Sequence, residues 1–324
     1  MKVGQNALDF IGNTHLVNLN VAENNVTVQA KCEYLNPSGS IKDRVALRLI
    51  NEAEREGKLK PGGTVVESST GNMGIALSMV CSVKRYNTII YMPKGWAVDE
   101  KKRIMRAYGA KIVEVSPGKE IERELKGKSV HGGVVELLPR IKCLEAERKQ
   151  KNTWWARQAI NPYNAIAHEE TTGKEILEQT HGRVDAFVAA VGTGGTLLGV
   201  GRALKKRNPD VKIYAVEPAS SPLLKTAPQI QHYMEKYGIP GVRGWIVEEI
   251  KKLNIADETL LVSDRDAVGM ANRLARERGL FVGMSSGASV YASMKLAEKM
   301  RGGNIVTILP DSRYRYLTVE HFVT

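Results

Sequence analysis

Six short, almost uninterrupted apolar runs recur along the chain: TVVE (64–67), NTIIYM (87–92), KIVEV (111–115), VDAFVAAV (184–191), VKIYAVE (211–217) and NIVTIL (304–309). Amphipathic stretches separate them. Strands that are apolar on both faces belong in a parallel sheet covered by helices on each side, so the pattern specifies an α/β protein. In IKDRVALRLINEAEREG, residues Val45, Leu49 and Ala53 share a stripe with Ala46 and Ile50 beside it, which predicts a helix ending at Gly57. DEKKRIMRAYGA predicts another ending at Gly109. Residues 117–151 are the least strand-like, and the charged helix expected there would carry the chain from one lobe to another. There is no repeat, low-complexity segment or proline-rich linker.

Composition bounds what such a protein does. With 324 residues, 43% hydrophobic and 25% charged, the chain has enough apolar material for one large or two medium domains. No apolar run approaches a membrane span, and the first residues, MKVGQNALDFIGN, lack the basic and apolar regions of a secretory signal. The expected location is cytoplasmic, with no membrane partner. Cys32, Cys81 and Cys143 are far apart and have no metal or disulfide spacing, so they are read as reduced core residues. The net charge of +12 is spread among acidic residues, as in EREGKLK and EAERKQK. It argues for attraction of small anions rather than for a nucleic-acid partner.

Two glycine-rich turns carry chemical information. ESSTGNMG follows TVVE and opens the apolar stretch IALSMV; VGTGGT follows VDAFVAAV and opens LLGVGRALKKR. A strand, a tight turn of small residues and a helix start bring several N–H groups and the positive end of a helix dipole to one point, which suits an anion. Neither turn has the Walker lysine, and neither gives GxGxxG with a distant acid, so nucleotide binding loses its best support.

A lysine in an unfavourable place complements them. In NPSGSIKDR (36–44), Lys42 stands at the mouth of a helix, where the dipole opposes its charge and Ser40 and Asp43 fit a capping box. Dipole and burial both favour the neutral amine, the species that attacks an aldehyde. A neutral amine near two anion sockets describes a Schiff base with pyridoxal 5′-phosphate. From these residues alone an ordinary solvated lysine remains open.

The NPSGSIKDR segment resembles the lysine motif of the fold-type-II pyridoxal-phosphate enzymes of the cysteine synthase and cystathionine β-synthase family. The likeness runs through GNTHLVNL, ESSTGNMGIAL, RAYGAKIVEV, QAINPYNAIAHEETTGKEI, VGTGGTLLGVGRAL, VEP, GLFVGMSSGAS and ILPDSRYRYL, in the family's order. GIPGVRGW, RAYGA and NPYNAIAHEETTG look more like the cysteine synthase B type than the A type. The resemblance implies a two-lobed α/β fold of doubly wound sheets, tryptophan-synthase-β-like, working as a homodimer. Residues 1–45 and 154–324 would form the large cofactor-binding lobe, and 46–153 a smaller mobile lobe closing on substrate.

Roles follow position by position as what the resemblance implies. Lys42 would be the catalytic, cofactor-joined base. Asn72 would bond the cofactor's phenolic oxygen, Gly192, Thr193, Gly194, Gly195 and Thr196 would cradle its phosphate, and Ser285 would meet its pyridine nitrogen. A hydroxyl there moderates the ring as an electron sink, which favours elimination from Cβ. Ser69, Thr70, Gly71 and Met73 would hold the substrate carboxylate, with Gln158 assisting. The expected reaction converts an activated serine, O-acetylserine or O-phosphoserine, through an aminoacrylate to L-cysteine by addition of sulfide.

Without the family, Ser285, Thr193 and Thr196 also read as helix caps, Asn72 as a left-handed turn residue and Gln158 as a surface amide. His168 reads as structural, and Trp154 and Trp155 as packing between lobes. The chain departs from the family's pattern at His15, where proline is usual, at Met73, where many members have threonine, and at Arg313, often glycine, which is expected to crowd or charge the far side of the ring pocket. Arg243, in the loop facing the leaving group, would either fork onto a phosphate or carboxylate or pair with a glutamate. The same machinery also suits serine or cysteine as donor, giving cystathionine, lanthionine with release of sulfide, or a diamino acid. A silent cofactor-binding regulatory protein is the non-enzyme alternative.

Overall fold

The computed structural model describes residues 3–19, 25–95, 97–116, 133–220 and 245–319. The elements in chain order are β1 (Leu16–Asn18), β2 (Val26–Lys31), α1 (Lys42–Arg55), β3 (Thr64–Ser68), α2 (Asn72–Lys84), β4 (Asn87–Pro93), α3 (Asp99–Ala107), β5 (Lys111–Val115), α4 (Gly133–Lys149) and β6 (Thr153–Trp155). Then come α5 (Tyr163–Ala167), a π turn (His168–Gly173), α6 (Lys174–Gln179), β7 (Ala186–Ala190), α7 (Gly195–Arg207), β8 (Lys212–Pro218), α8 (Trp245–Lys252), β9 (Glu258–Val262), α9 (Asp264–Arg278), α10 (Met284–Ala297), β10 (Gly303–Ile308) and a 3-10 turn (Arg313–Tyr316).

Two sheets result, six-stranded in the order β1-β2-β10-β7-β8-β9 and four-stranded in the order β5-β4-β3-β6. Among the described strands every pairing is parallel except β1 with β2. The six apolar runs are β3, β4, β5, β7, β8 and β10; Val65 and Val66 of β3 and Phe187 and Val188 of β7 have no exposure, as strands covered on both faces require. The predicted helices form α1 and α3, and the glycines expected to end them, Gly57 and Gly109, are left-handed at φ +69° and +88°. Helix α2 is apolar on all sides, and each residue from Met73 to Cys81 is buried. All three cysteines are buried and free.

Three expectations change. Helix α4 packs on β3, β4 and β6 and so covers the smaller sheet rather than linking lobes. Trp154 and Trp155 lie in β6 and point to opposite faces of that sheet: Trp154 joins Leu49, Val65 and Leu77, and Trp155 joins Val66, Tyr91 and Cys143. The crossing expected between residues 153 and 154 therefore falls inside β6, which pairs with β3.

A buried charge network seats α1. Arg44 Nε donates to Glu33 at 2.7 Å and its Nη1 to Glu175 at 2.6 Å, while Lys31 Nζ reaches Glu175 at 2.7 Å. Burial alone would raise the Glu175 carboxyl, yet hydrogen bonds and charge from Arg44 and Lys31 bring it down to about 2.

Candidate functional site

The Lys42 loop rests on the carboxyl end of β10. Ile41 N–H donates to Pro310 O at 2.8 Å, and Ser312 N–H to Gly39 O at 3.1 Å. Ser40 does reach back, accepting from Lys42 N–H at 3.3 Å, but the predicted box is split, because the Asp43 carboxylate turns to Ser38, taking its N–H at 2.6 Å and its hydroxyl. The loop is thus held at both ends and Lys42 has a defined direction.

That direction leads to the second glycine turn, with Lys42 Nζ 3.4 Å from Thr193 Oγ1. Burial lowers the amine to about 8, with the Glu67 charge pulling weakly the other way. An amine with that pKa is half neutral at pH 8, whereas an ordinary lysine is neutral in about one molecule in three hundred.

The turn is shaped by what its glycines allow. Gly194 is left-handed at φ +87°, and a β-carbon on Gly195, the first residue of α7, would land on the Asn164 amide. Asn164 Nδ2 donates to Thr193 Oγ1 at 3.0 Å and to Gln158 O at 2.8 Å. Its Oδ1 is buried with no partner among the described residues. Thr196 Oγ1 is 3.4 Å from Nε2 of His168, whose Nδ1 is 3.1 Å from Thr172 Oγ1. Burial, helped by the Lys42 and Arg44 charges, pushes the His168 imidazole well below its ordinary range, so it is neutral support under the turn.

The first glycine turn serves itself in part. Ser69 Oγ accepts from Gly71 N–H at 3.2 Å and Gly74 N–H at 3.0 Å. Of the four N–H groups that open α2, those of Asn72 and Met73 are left for an anion. Met73 offers only its backbone, because its side chain is buried in the cluster with Val45, Leu49 and Leu77; its place in a substrate subsite is corrected to that extent. The Asn72 side chain donates to Asp311 Oδ2 at 2.7 Å and accepts from Arg315 Nη1 at 2.6 Å. Lys101 flanks the turn, with Nζ 3.5 Å from where a β-carbon of Gly71 would sit and 4.1 Å from the Tyr316 ring centroid.

Gln158 and Thr193 line one small cavity with Ser68, Glu67 and Arg140, so the end of β3 and the 192–196 turn meet at the same space. Glu67, which sequence reasoning missed, positions Gln158: its buried carboxylate accepts from Gln158 N–H at 2.9 Å, Trp155 Nε1 at 3.1 Å and Ser68 N–H at 2.7 Å. Ser285 lies in the first turn of α10, partly exposed and with no hydrogen bond among the described residues, so its hydroxyl is available. Thr70 is likewise partly exposed. Arg313 does not enter the pocket as expected; it donates to Asn272 of α9 at 2.5 Å and lies over the Phe281 ring. Arg243 lies outside the described residues.

A molecule with an aldehyde and a phosphate fits these residues. The glycine turn accepts an anion without a side chain in the way, and an amine that burial brings to about 8 stands at the turn's threonine. Comparison with known proteins points the same way. The family model described as pyridoxal-phosphate dependent enzyme matches residues 7–311. The chain is 40% identical to a cysteine synthase of Staphylococcus aureus (strain N315) over 317 residues, 97% of this chain and 95% of the relative. Among solved structures it superposes on a cysteine synthase of Entamoeba histolytica with TM-score 0.84 at 33% identity, covering 100% of this chain and 92% of that one. It superposes on a hydrogen sulfide-producing enzyme of Fusobacterium nucleatum with TM-score 0.82 at 32% identity, covering 98% and 99%.

Proposed function

This chain belongs to the pyridoxal-phosphate-dependent enzyme family, in its cysteine synthase branch, and on that premise we propose that Lys42 is its catalytic base and that the activated donor is O-acetylserine or O-phosphoserine. The enzyme catalyses a β-replacement that forms cysteine: the Cβ–O bond of an activated serine breaks, and sulfide supplies the new Cβ–S bond.

Pyridoxal 5′-phosphate, when bound, supplies an aldehyde that condenses with amines and a ring that withdraws electrons from the substrate Cα. The rest is work for the protein. Residues 192–196 hold the phosphate on the N–H groups of α7. Ser285 presents a hydroxyl to the ring nitrogen, and Asn72 an N–H to the phenolic oxygen. The free N–H groups at Asn72 and Met73, with Ser69, Thr70, Gly71 and Gln158, bind the substrate carboxylate and so orient the Cα–H bond. Lys42 Nζ takes the Cα proton and later returns it, a task that suits an amine brought down to about 8. Arg243 is assigned to the donor's leaving group.

The observation that carries this reading is the buried Lys42 amine, brought down to about 8, beside Thr193 of the glycine turn. Residues 46–155 are proposed as the smaller, closing lobe, since the four-stranded sheet ends with β6. The proposal includes a cytoplasmic homodimer; among the described residues no helix is long and apolar enough to cross a membrane. Light scattering tests the dimer.

The deciding assay offers sulfide with O-acetylserine, O-phosphoserine or serine to the cofactor-loaded enzyme and measures cysteine formed; cysteine is offered without added sulfide and sulfide released is measured. Cysteine from either of the first two supports the proposal. Inertness toward both, with sulfide released from cysteine, overturns the donor assignment in favour of the sulfide-producing reading.

A further inference from the structure

Asn72 opens α2 beside the smaller sheet, yet both ends of its amide are held from the segment after β10. Nδ2 donates to Asp311 Oδ2 at 2.7 Å, and Oδ1 accepts from Arg315 Nη1 at 2.6 Å. These partners cannot exchange roles. A guanidinium only donates and an ionised carboxylate only accepts, so turning the amide over would set N–H against N–H and oxygen against oxygen. One orientation survives, and it puts the second N–H of Nδ2 beside the Tyr316 hydroxyl.

The two partners are themselves anchored. Asp311 Oδ2 also accepts from the Tyr316 hydroxyl at 2.6 Å, and Asp311 and Arg315 are 1% and 3% exposed. Arg315 Nη2 donates to Ser38 O in the loop that carries Lys42, and a β-carbon on Gly39 would meet that same nitrogen. One guanidinium therefore joins the Asn72 amide to the Lys42 loop.

We propose that Arg315 and Asp311 are positioning residues that fix the Asn72 amide so that an N–H, and not its oxygen, faces the cofactor. The inference rests on the proposed place of Asn72 at the cofactor's phenolic oxygen. If the amide turned over, oxygen would face oxygen, and the hydrogen bond that favours the deprotonated phenol would become a repulsion. Arg315 acts through Asn72, and Asp311 selects its polarity.

A double-mutant cycle tests this, with two readouts: the dissociation constant of pyridoxal 5′-phosphate for the apoprotein, and the pH midpoint of the loaded protein's visible absorption. Asn72→Ala is expected to weaken binding about tenfold, the size of one hydrogen bond to a charged group, and to raise the midpoint. Arg315→Met and Asp311→Asn should each raise the midpoint in wild type, yet change neither readout more than about twofold in the Asn72→Ala background. Arg315→Lys, which keeps a donor, should recover part of the effect. Additive losses in the cycle overturn the inference alone, because Arg315 then acts on the fold. An Asn72→Ala protein identical to wild type removes the Asn72 assignment beneath it, and the inference with it. Should Arg315→Met fail to fold by circular dichroism, Arg315→Lys and Asp311→Asn complete the same cycle.

Discussion

The two glycine turns look alike in sequence and differ in how they are built. Each follows a parallel strand and opens a 13-residue helix, α7 or α2, and each has a lysine beside it that burial lowers to about 8, Lys42 for one and Lys101 for the other. At the 192–196 turn Gly194 and Gly195 are steric necessities, and the lysine reaches a hydroxyl of the turn itself. At the 69–73 turn Ser69 already fills two of the N–H groups, and Lys101 lies over the Tyr316 ring. Loss of charge therefore does not choose the reactive lysine. Orientation separates the two: Lys42 stands at a hydroxyl of the 192–196 turn, and Lys101 lies over an aromatic ring beside a turn that is half occupied.

The same substitution should have opposite weight in the two turns. Gly195→Ala would drive a methyl into Asn164, and such overpacking in a rigid site costs roughly 1–3 kcal/mol; cofactor affinity is expected to fall by up to about a hundredfold in a fluorescence titration. Gly71→Ala meets only the flexible end of Lys101 at 3.5 Å and should change affinity by about threefold or less, within ordinary surface effects. Equal losses would erase the distinction between the turns.

Cofactor capture by the apoprotein should follow the Lys42 amine, whose lowered pKa of about 8 means that the neutral form grows as pH rises through 8. Stopped-flow rates should climb about tenfold from pH 7 to 9; a climb delayed to pH 10 or above would place the amine in water. Ser69→Ala frees Gly71 and Gly74 N–H groups from their acceptor and should raise the donor KM by roughly tenfold, with cofactor affinity unchanged. A last expected effect is general to the fold. Glu175, held down at about 2, contributes stability that is complete above its unfolded pKa near 4.5 and is lost as pH falls toward 2. Glu175→Gln should flatten that acid limb in a thermal melt.

Much of this was legible in the sequence because it is local. The six apolar runs, the helix-ending glycines and the NPSGSIKDR, STGNMG and VGTGGT segments each contain their own reason for the conformation they adopt. Four strands were not: β1, β2, β6 and β9 have 3, 6, 3 and 5 residues, and their existence depends on neighbours in the sheet. The supporting residues were also hidden, since their roles come from distant partners. Asn72 is 239 positions from Asp311 and 243 from Arg315, and Asn164 meets Thr193 across 29. Glu67 looks like the end of an apolar strand until Trp155 and Gln158 fold onto it. Met73 and Arg313 turn away from the pocket because an apolar cluster and Asn272, respectively, offer better company.

The most direct measurement is covalent trapping: borohydride reduction of the apoprotein freshly mixed with one equivalent of pyridoxal 5′-phosphate, followed by peptide mapping. A single label on Lys42 is expected, with Lys101 unmodified although burial lowers both amines to about 8. A label on Lys101, or a Lys42→Ala protein that still makes cysteine at the normal rate, would contradict it.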